Sequence, residues 1–100
     1  MIQLTQKTPP EIAASLAGRV RARRKEHGFT QKQLAERAGM SLASYKRFEQ
    51  QHEIALASLI KIAIALECEQ DFDALFSTPH FSSIEELITH ERASVKLRRR

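Results

Sequence analysis

Apolar residues recur along this chain at helical spacing. Ile12, Leu16 and Val20 follow one stripe, and Thr8-Pro9-Pro10-Glu11 ahead of them places a capping threonine three residues before a glutamate, with proline at the first helical position. The pattern predicts a first helix from about Pro9 to Lys25 or Glu26, stopped by His27-Gly28. Thr30-Gln31-Lys32-Gln33 repeats the threonine-x-x-Gln/Glu signal and opens a second helix that closes at Gly39. Ser41 opens a third, which fades between Gln50 and His52. Ala57 to Leu66 is apolar nearly all round, broken only by Ser58 and Lys61, and predicts a fourth helix at the centre of the core on which everything else packs. Asp71 is placed to cap a short fifth helix carrying Phe72, Leu75 and Phe76. After Pro79 the character changes: Ser82 and Ser83 precede Ile84-Glu85-Glu86-Leu87-Ile88, an amphipathic turn or two that is too short to persist without docking on its own domain or another chain. Ala93 to Leu97 alternates weakly in the manner of a strand, and Arg98, Arg99 and Arg100 form a terminal charge run. The expectation is an all-α chain: a five-helix domain over residues 1–78, then an extension over residues 79–100 with a short helix and a basic tail.

The stretch Gln31 to Gln50 carries the most information. Leu34, Ala38, Met40, Tyr45 and Phe48 supply two short helical stripes, Ala35 is small where the helices cross, and Gly39 stands where the chain must bend. This is the helix-turn-helix pattern. Gly39 can take positive φ at little cost, ending one helix while the next starts at a new angle. The face left over on the third helix, Leu42, Ala43, Ser44, Lys46, Arg47 and Gln50, is basic, small and free of acid, and suits a DNA groove. An ordinary αα-hairpin with a solvated charged face is the competing reading. Arg19, Arg21, Arg23, Arg24 and Lys25, crowded into the preceding helix, weigh against it.

Composition narrows the class further. One hundred residues with 42% apolar content can bury one modest core, which means a single domain. The first ten residues hold no apolar signal core and no run approaches a membrane span, so the chain is expected to be neither exported nor embedded. Cys68 stands alone and reads as a buried or half-buried thiol with no redox role. The net charge of +4 hides a strong segregation: residues 1–50 carry ten Lys/Arg against four Asp/Glu, residues 51–91 one against eight, and residues 92–100 five against none. A basic half suits phosphate and an acidic half suits a basic protein surface, although the acids are equally compatible with a solubilising face. His27, His52, His80 and His90 are too scattered for a ligand set, and Asp71-x-Asp73 lacks a third ligand at useful spacing. No catalytic arrangement is recognisable, so the expectation is a binding protein that is not an enzyme and has no metal and no cofactor.

Five helices with the motif as the second and third resemble the phage-repressor, or Xre, family of DNA-binding domains. The resemblance covers roughly residues 9 to 76 and rests on Thr30-Gln31, Leu34-Ala35, Gly39, Phe48-Glu49 and the run Leu59 to Leu66. Within that family the chain is similar to HipB-like proteins encoded beside HipA-type serine/threonine kinase toxins, through Lys7-Thr8-Pro9, Tyr45-Lys46-Arg47-Phe48-Glu49, and Phe81 to Leu87 with a basic ending. The resemblance implies a bacterial, cytoplasmic, nucleoid-associated protein. Residue by residue, it implies Gln31 beside the DNA backbone and Leu42 and Ala43 at the first base-facing positions, and Lys32, Ser41 and Ser44 next to them join the DNA-binding candidates. Lys46 and Arg47 follow one turn on, and Gln50 falls at a phosphate. Leu42 and Ala43 depart from the polar residues of several phage repressors, which leaves hydrogen-bonded reading to Lys46, Arg47 and the two serines. Tyr45 replaces a branched aliphatic. The family also commonly pairs an arginine late in the first helix with a glutamate ending the third, which implies a structural pair of Arg24 and Glu49, with Arg19, Arg21 and Arg23 as better phosphate candidates.

Two functional classes follow. One is a sequence-specific repressor, a homodimer on a double-stranded operator, serving as antitoxin and autorepressor of a toxin-antitoxin operon or as a stand-alone Xre-type regulator. The other is an interaction protein that sequesters a partner kinase, with or without a small accessory antitoxin. RNA binding is weaker, since at most two exposed aromatics could stack on bases.

Overall fold

Hydroxyl side chains start the first three helices. In the computed structural model, which describes residues 7–80, 85 and 88–92, Thr8 Oγ1 accepts from the Glu11 amide at 3.3 Å while the Glu11 carboxylate accepts from the Thr8 amide at 3.2 Å. This reciprocal box opens α1 (Pro9–Glu26). The same box forms between Thr30 and Gln33, at 3.0 and 2.8 Å, and opens α2 (Gln31–Ala38). Ser41 Oγ accepts from the Ser44 amide at 3.0 Å and opens α3 (Leu42–Gln51). The ends are equally local. Gly28 at φ 72° follows the His27 cap of α1, Gly39 at φ 69° closes α2, and His52 closes α3 in the same left-handed conformation at φ 64°.

The later elements are α4 (Leu56–Ala65) and α5 (Asp71–Ala74), and residues 88–92 are helical as well. No strand occurs among the described residues. The amphipathic turn expected at Ile84 to Ile88 lies largely outside the described residues, and the alternation at Ala93 to Leu97 and the arginine run lie wholly outside them.

Leu34, Tyr45, Phe48 and Ile62 are the fully buried large side chains, joined by Ala17, Ala35, Ala38 and Leu66. Phe29, Met40, Ile54, Leu59 and Cys68 close the periphery. α2 packs against both α3 and α4, and α1 packs against α3. The centre therefore belongs to α2 and α3, and the expectation that everything packs on α4 is corrected. The alanines of α2 let its neighbours approach from two sides. α4 buries one stripe, with Ile62 and Ala63, while Leu56, Ile60 and Ile64 are exposed. In a domain this small, three short neighbours cannot wrap a helix that is apolar on every side.

α5 also departs from expectation. Gln70 occupies its N-cap without a side-chain bond, and Asp71 is the first helical residue. Backbone turns from Cys68 and Glu69, whose carbonyls accept from Asp71 and Phe72 at 3.0 and 3.1 Å, do the work of a cap. The helix ends after one turn because Leu75 takes extended backbone at φ −66° and ψ 126°, and Phe76, next at φ 59°, is 95% exposed instead of packing inward. One bond locks the rim of the fold: His27 Nε2 donates to the Leu66 carbonyl at 3.0 Å, tying the end of α1 to the end of α4. Cys68 is half-buried, as expected, with its thiol donating to the Leu66 carbonyl at 3.3 Å and its pKa pushed up by burial.

The same substitution should act with opposite sign at two glycines. A Cβ at Gly39 meets nothing within 4 Å, so only its positive φ opposes alanine, and Gly39→Ala should lower stability by about 1 kcal/mol. Gly18 lies inside α1, with open space around it and no positive φ, so Gly18→Ala should raise stability by ~0.5–1 kcal/mol. Urea unfolding of the two variants checks both signs.

Candidate nucleic-acid interface

Tyr45 and Phe48, one turn apart, anchor α3 by its inner face, with rings meeting edge-on at 6.3 Å between centroids. The opposite face is then presented outward by helical geometry alone. Ser41, Ala43, Ser44, Lys46, Arg47 and Gln50 are exposed and Leu42 is half-buried, so these sequence-selected positions come together on one surface. The Ser41 hydroxyl also donates to Ser44 Oγ at 2.8 Å, so one serine is a cap and its partner is oriented by it. Lys32 is exposed in the first turn of α2.

What holds this face at its angle is a cluster around Glu49. The Arg24 guanidinium donates to it twice, from Nε at 2.8 Å and from Nη2 at 3.3 Å, while Nη1 donates to the Phe29 carbonyl at 2.9 Å. The Tyr45 hydroxyl donates to the same carboxylate, and so does Gln31 Nε2, at 3.0 Å. Both charged side chains are buried, at 10% and 6% residual exposure. The Arg24–Glu49 pair thus stands as the sequence implied. Gln31 is where the structure adds to the sequence reading: it is half-buried, its amide is committed to Glu49, and it clamps the first turn of α2 to the last turns of α3. Tyr45 also gains a purpose, since its hydroxyl reaches the carboxylate one turn ahead, as a branched aliphatic could not.

The electrostatics follow from this geometry. Burial alone would raise Glu49, but hydrogen bonds from Arg24, Tyr45 and Gln31 outweigh it and hold the carboxyl below the ordinary glutamate value. Glu49 in turn raises Arg24. Tyr45 is pushed well above the ordinary tyrosine value, first by burial and then by its bond to Glu49.

Arg47 is arranged differently from its sequence reading. Its Nη2 stands 2.8 Å from Glu53 Oε2, with both side chains 60% exposed. The left-handed turn at His52 swings Glu53 back alongside α3, and no periodicity in the sequence signals that. Arg47 and Glu53 line a cleft of about 430 Å³ together with Ser44, Ser58 and Ala55, the uncapped start of α4. The other arginines divide. Arg19 Nη1 donates to Ser15 Oγ at 2.8 Å, Arg23 pairs with Glu26 at 2.8 Å, and the Arg37 guanidinium lies 4.4 Å above the Phe29 ring, which itself stacks on His27. Among the described residues no three His, Cys, Asp or Glu side chains converge to hold a metal ion, and no helix is long and apolar enough to cross a membrane.

A cap-turn-cap pair of helices with an outward basic face defines a helix-turn-helix DNA-binding domain. A helix-turn-helix family model matches residues 20–69, half of the chain, and the chain belongs to this Xre-like helix-turn-helix family of DNA-binding regulators. The matched stretch begins within α1 and takes in α2, α3 and α4. Searches of curated proteins and of solved structures returned no match.

The Glu49 cluster should shape stability at both ends of the pH range. Glu49 is held low in the folded chain, so its contribution is complete above the unfolded value of about 4.3 and is lost as pH falls through the folded value. Tyr45 keeps its proton longer when folded, so its contribution is complete below about 10 and declines above. Thermal melts against pH should show the acid limb flattened in Glu49→Gln and the alkaline limb flattened in Tyr45→Phe. Glu49→Ala, which strands buried Arg24, should cost ~3–5 kcal/mol at neutral pH. A melting temperature like that of the wild type would contradict it.

Proposed function

We propose that this chain is a sequence-specific transcriptional repressor, the HipB-like antitoxin and autorepressor of a toxin-antitoxin operon, acting as a two-fold dimer in the bacterial cytoplasm. It is a binding protein and not an enzyme, and its primary partner is a double-stranded operator. The observation that carries the reading is the outward face of α3, where Lys46 and Arg47 stand exposed on a helix whose angle is set by a buried ion pair. Two copies of α3 in successive major grooves, about 34 Å apart, would read a palindromic site. Lys32, Gln50 and the arginine-rich α1 supply phosphate contacts, and Lys46, Arg47, Ser41 and Ser44 read bases, with Leu42 and Ala43 against methyl groups.

Glu53 sharpens the role of Arg47. In free protein the guanidinium is already held by a carboxylate, so DNA must exchange that bond for another. A phosphate replaces Glu53 with another anion that takes the same paired donors, so only exchange onto a guanine edge, which also accepts two parallel hydrogen bonds, adds sequence information.

A second reading, sequestration of a HipA-type kinase directly or with a small accessory antitoxin, is favoured by the acids of residues 51–91 and by exposed Leu56, Ile60 and Ile64 on α4. The DNA upstream of its own gene, tested with and without the neighbouring gene product, separates the readings. A repressor binds alone and a sequestering protein binds only the product. A stand-alone Xre-type regulator binds the DNA and ignores the product.

Operator affinity should fall steeply with salt as phosphate contacts release counterions. An affinity that stays flat from low to physiological salt would sink the proposal. Arg47→Ala should cost ~1–3 kcal/mol on operator and relax one or two base pairs. Glu53→Gln should tighten random DNA more than operator, which a competition titration measures as a reduced ratio of the two affinities. An unchanged ratio removes Glu53 from base selection.

A further inference from the structure

Away from α3, a groove of about 450 Å³ runs between α1 and α5 over the Leu59, Ile62 and Leu66 stripe of α4. Leu16, Val20, Leu59 and Leu66 line its apolar body, and Ile12 and Leu75, each 54% exposed, stand open at its edge. Leu16, Val20 and Leu59 are half-buried and Leu66 is buried, so Ile12 and Leu75 at the edge are what a covering surface would take out of water. The charge is asymmetric. The α1 wall carries Arg19 and Arg23, one turn apart, and the α5 wall carries Asp71.

We propose that this groove is the surface through which two copies of the chain pair. Its rims are oppositely charged, so a two-fold axis through the groove sets Arg19 and Arg23 of each copy against Asp71 of the other, twice over, while the apolar walls close on each other. An isologous contact requires this self-complementarity. The bonds that Arg19 and Arg23 now make, to Ser15 and Glu26, are exposed and exchange easily. No residue of α3 lines the groove, so pairing and DNA binding do not compete for one surface. The inference rests on the two-fold reading proposed above and assigns it a place.

Sedimentation of the full chain tests it. The double variant Arg19→Glu/Arg23→Glu and the single variant Asp71→Arg each set like charges face to face, and each should weaken pairing at least ~10-fold. Mixed together, the two variants regain both attractive rims and should form a heterodimer where each alone is monomeric. Ile12→Asp, at an exposed position, should weaken pairing while leaving the melting temperature of the monomer unchanged. Three results overturn the proposal: a wild-type chain that stays monomeric, rim variants that pair as tightly as wild type, or a dimer that survives them and dissociates only when residues 81–100 are removed. The last places the contact in the C-terminal extension. Operator binding, measured separately on a single half-site, keeps the outcomes distinct: a chain that binds the half-site without pairing loses this inference and the two-fold arrangement but keeps the DNA-binding reading, and one that pairs through the groove without binding DNA loses the regulator reading alone.

Discussion

A single buried carboxylate holds the DNA-binding end of this fold together. Glu49 takes hydrogen bonds from α1 through Arg24, from α2 through Gln31 and from its own helix through Tyr45, so three helices converge on two oxygens. Burying a charge is costly unless its partners are in place, and that cost makes the arrangement selective. A tilt of α3 that drew Glu49 away from Arg24 would leave two buried charges without each other and largely without water. Hydrophobic packing of Tyr45 and Phe48 decides that α3 is buried on one side. The Glu49 cluster decides the angle at which its other side faces out.

This division of labour suits a reading surface. Side chains that contact a groove must be exposed and mobile at their tips, yet their backbone must be rigid to well under the spacing between base pairs. In this chain the rigidity comes from behind. Lys46 and Arg47 extend from a helix whose inner residues and last turn are fixed, and whose first turn is capped by Ser41. Arg47 is further restrained by Glu53, an exposed pair weak enough to open when a better acceptor arrives.

The two faces of the domain are chemically distinct. Around α3 the exposed surface is small, polar and basic, whereas α1, α4 and α5 enclose an apolar groove with oppositely charged rims. The segregation of charge along the sequence is not carried over whole onto the surface: Glu53 of the acidic half returns to Arg47 beside α3, and Arg19 and Arg23 of the basic half line the groove with Asp71. A domain of this size keeps some apolar area in water, and Ile12, Leu56, Ile60, Ile64 and Leu75, which carry much of it, all lie off α3.

Much of this was legible in the residues alone, because helix starts and stops are local events. Thr8 with Glu11, Thr30 with Gln33, Ser41 and Gly39 act through backbone groups within three or four positions, so their pattern determined α1, α2 and α3 nearly to the residue. The face of α3 followed from the period of Tyr45 and Phe48. Where a side chain chooses among partners distant in sequence, the residues were silent. Nothing local distinguishes a Gln31 that contacts phosphate from one that clamps Glu49, and only the left-handed turn at His52 brings Glu53 to Arg47. The apolar run of α4 predicted a helix at the centre of the core, whereas the fold buries only one stripe of it. Hydrophobicity measures the tendency to leave water, while the neighbours available in three dimensions decide which residues can.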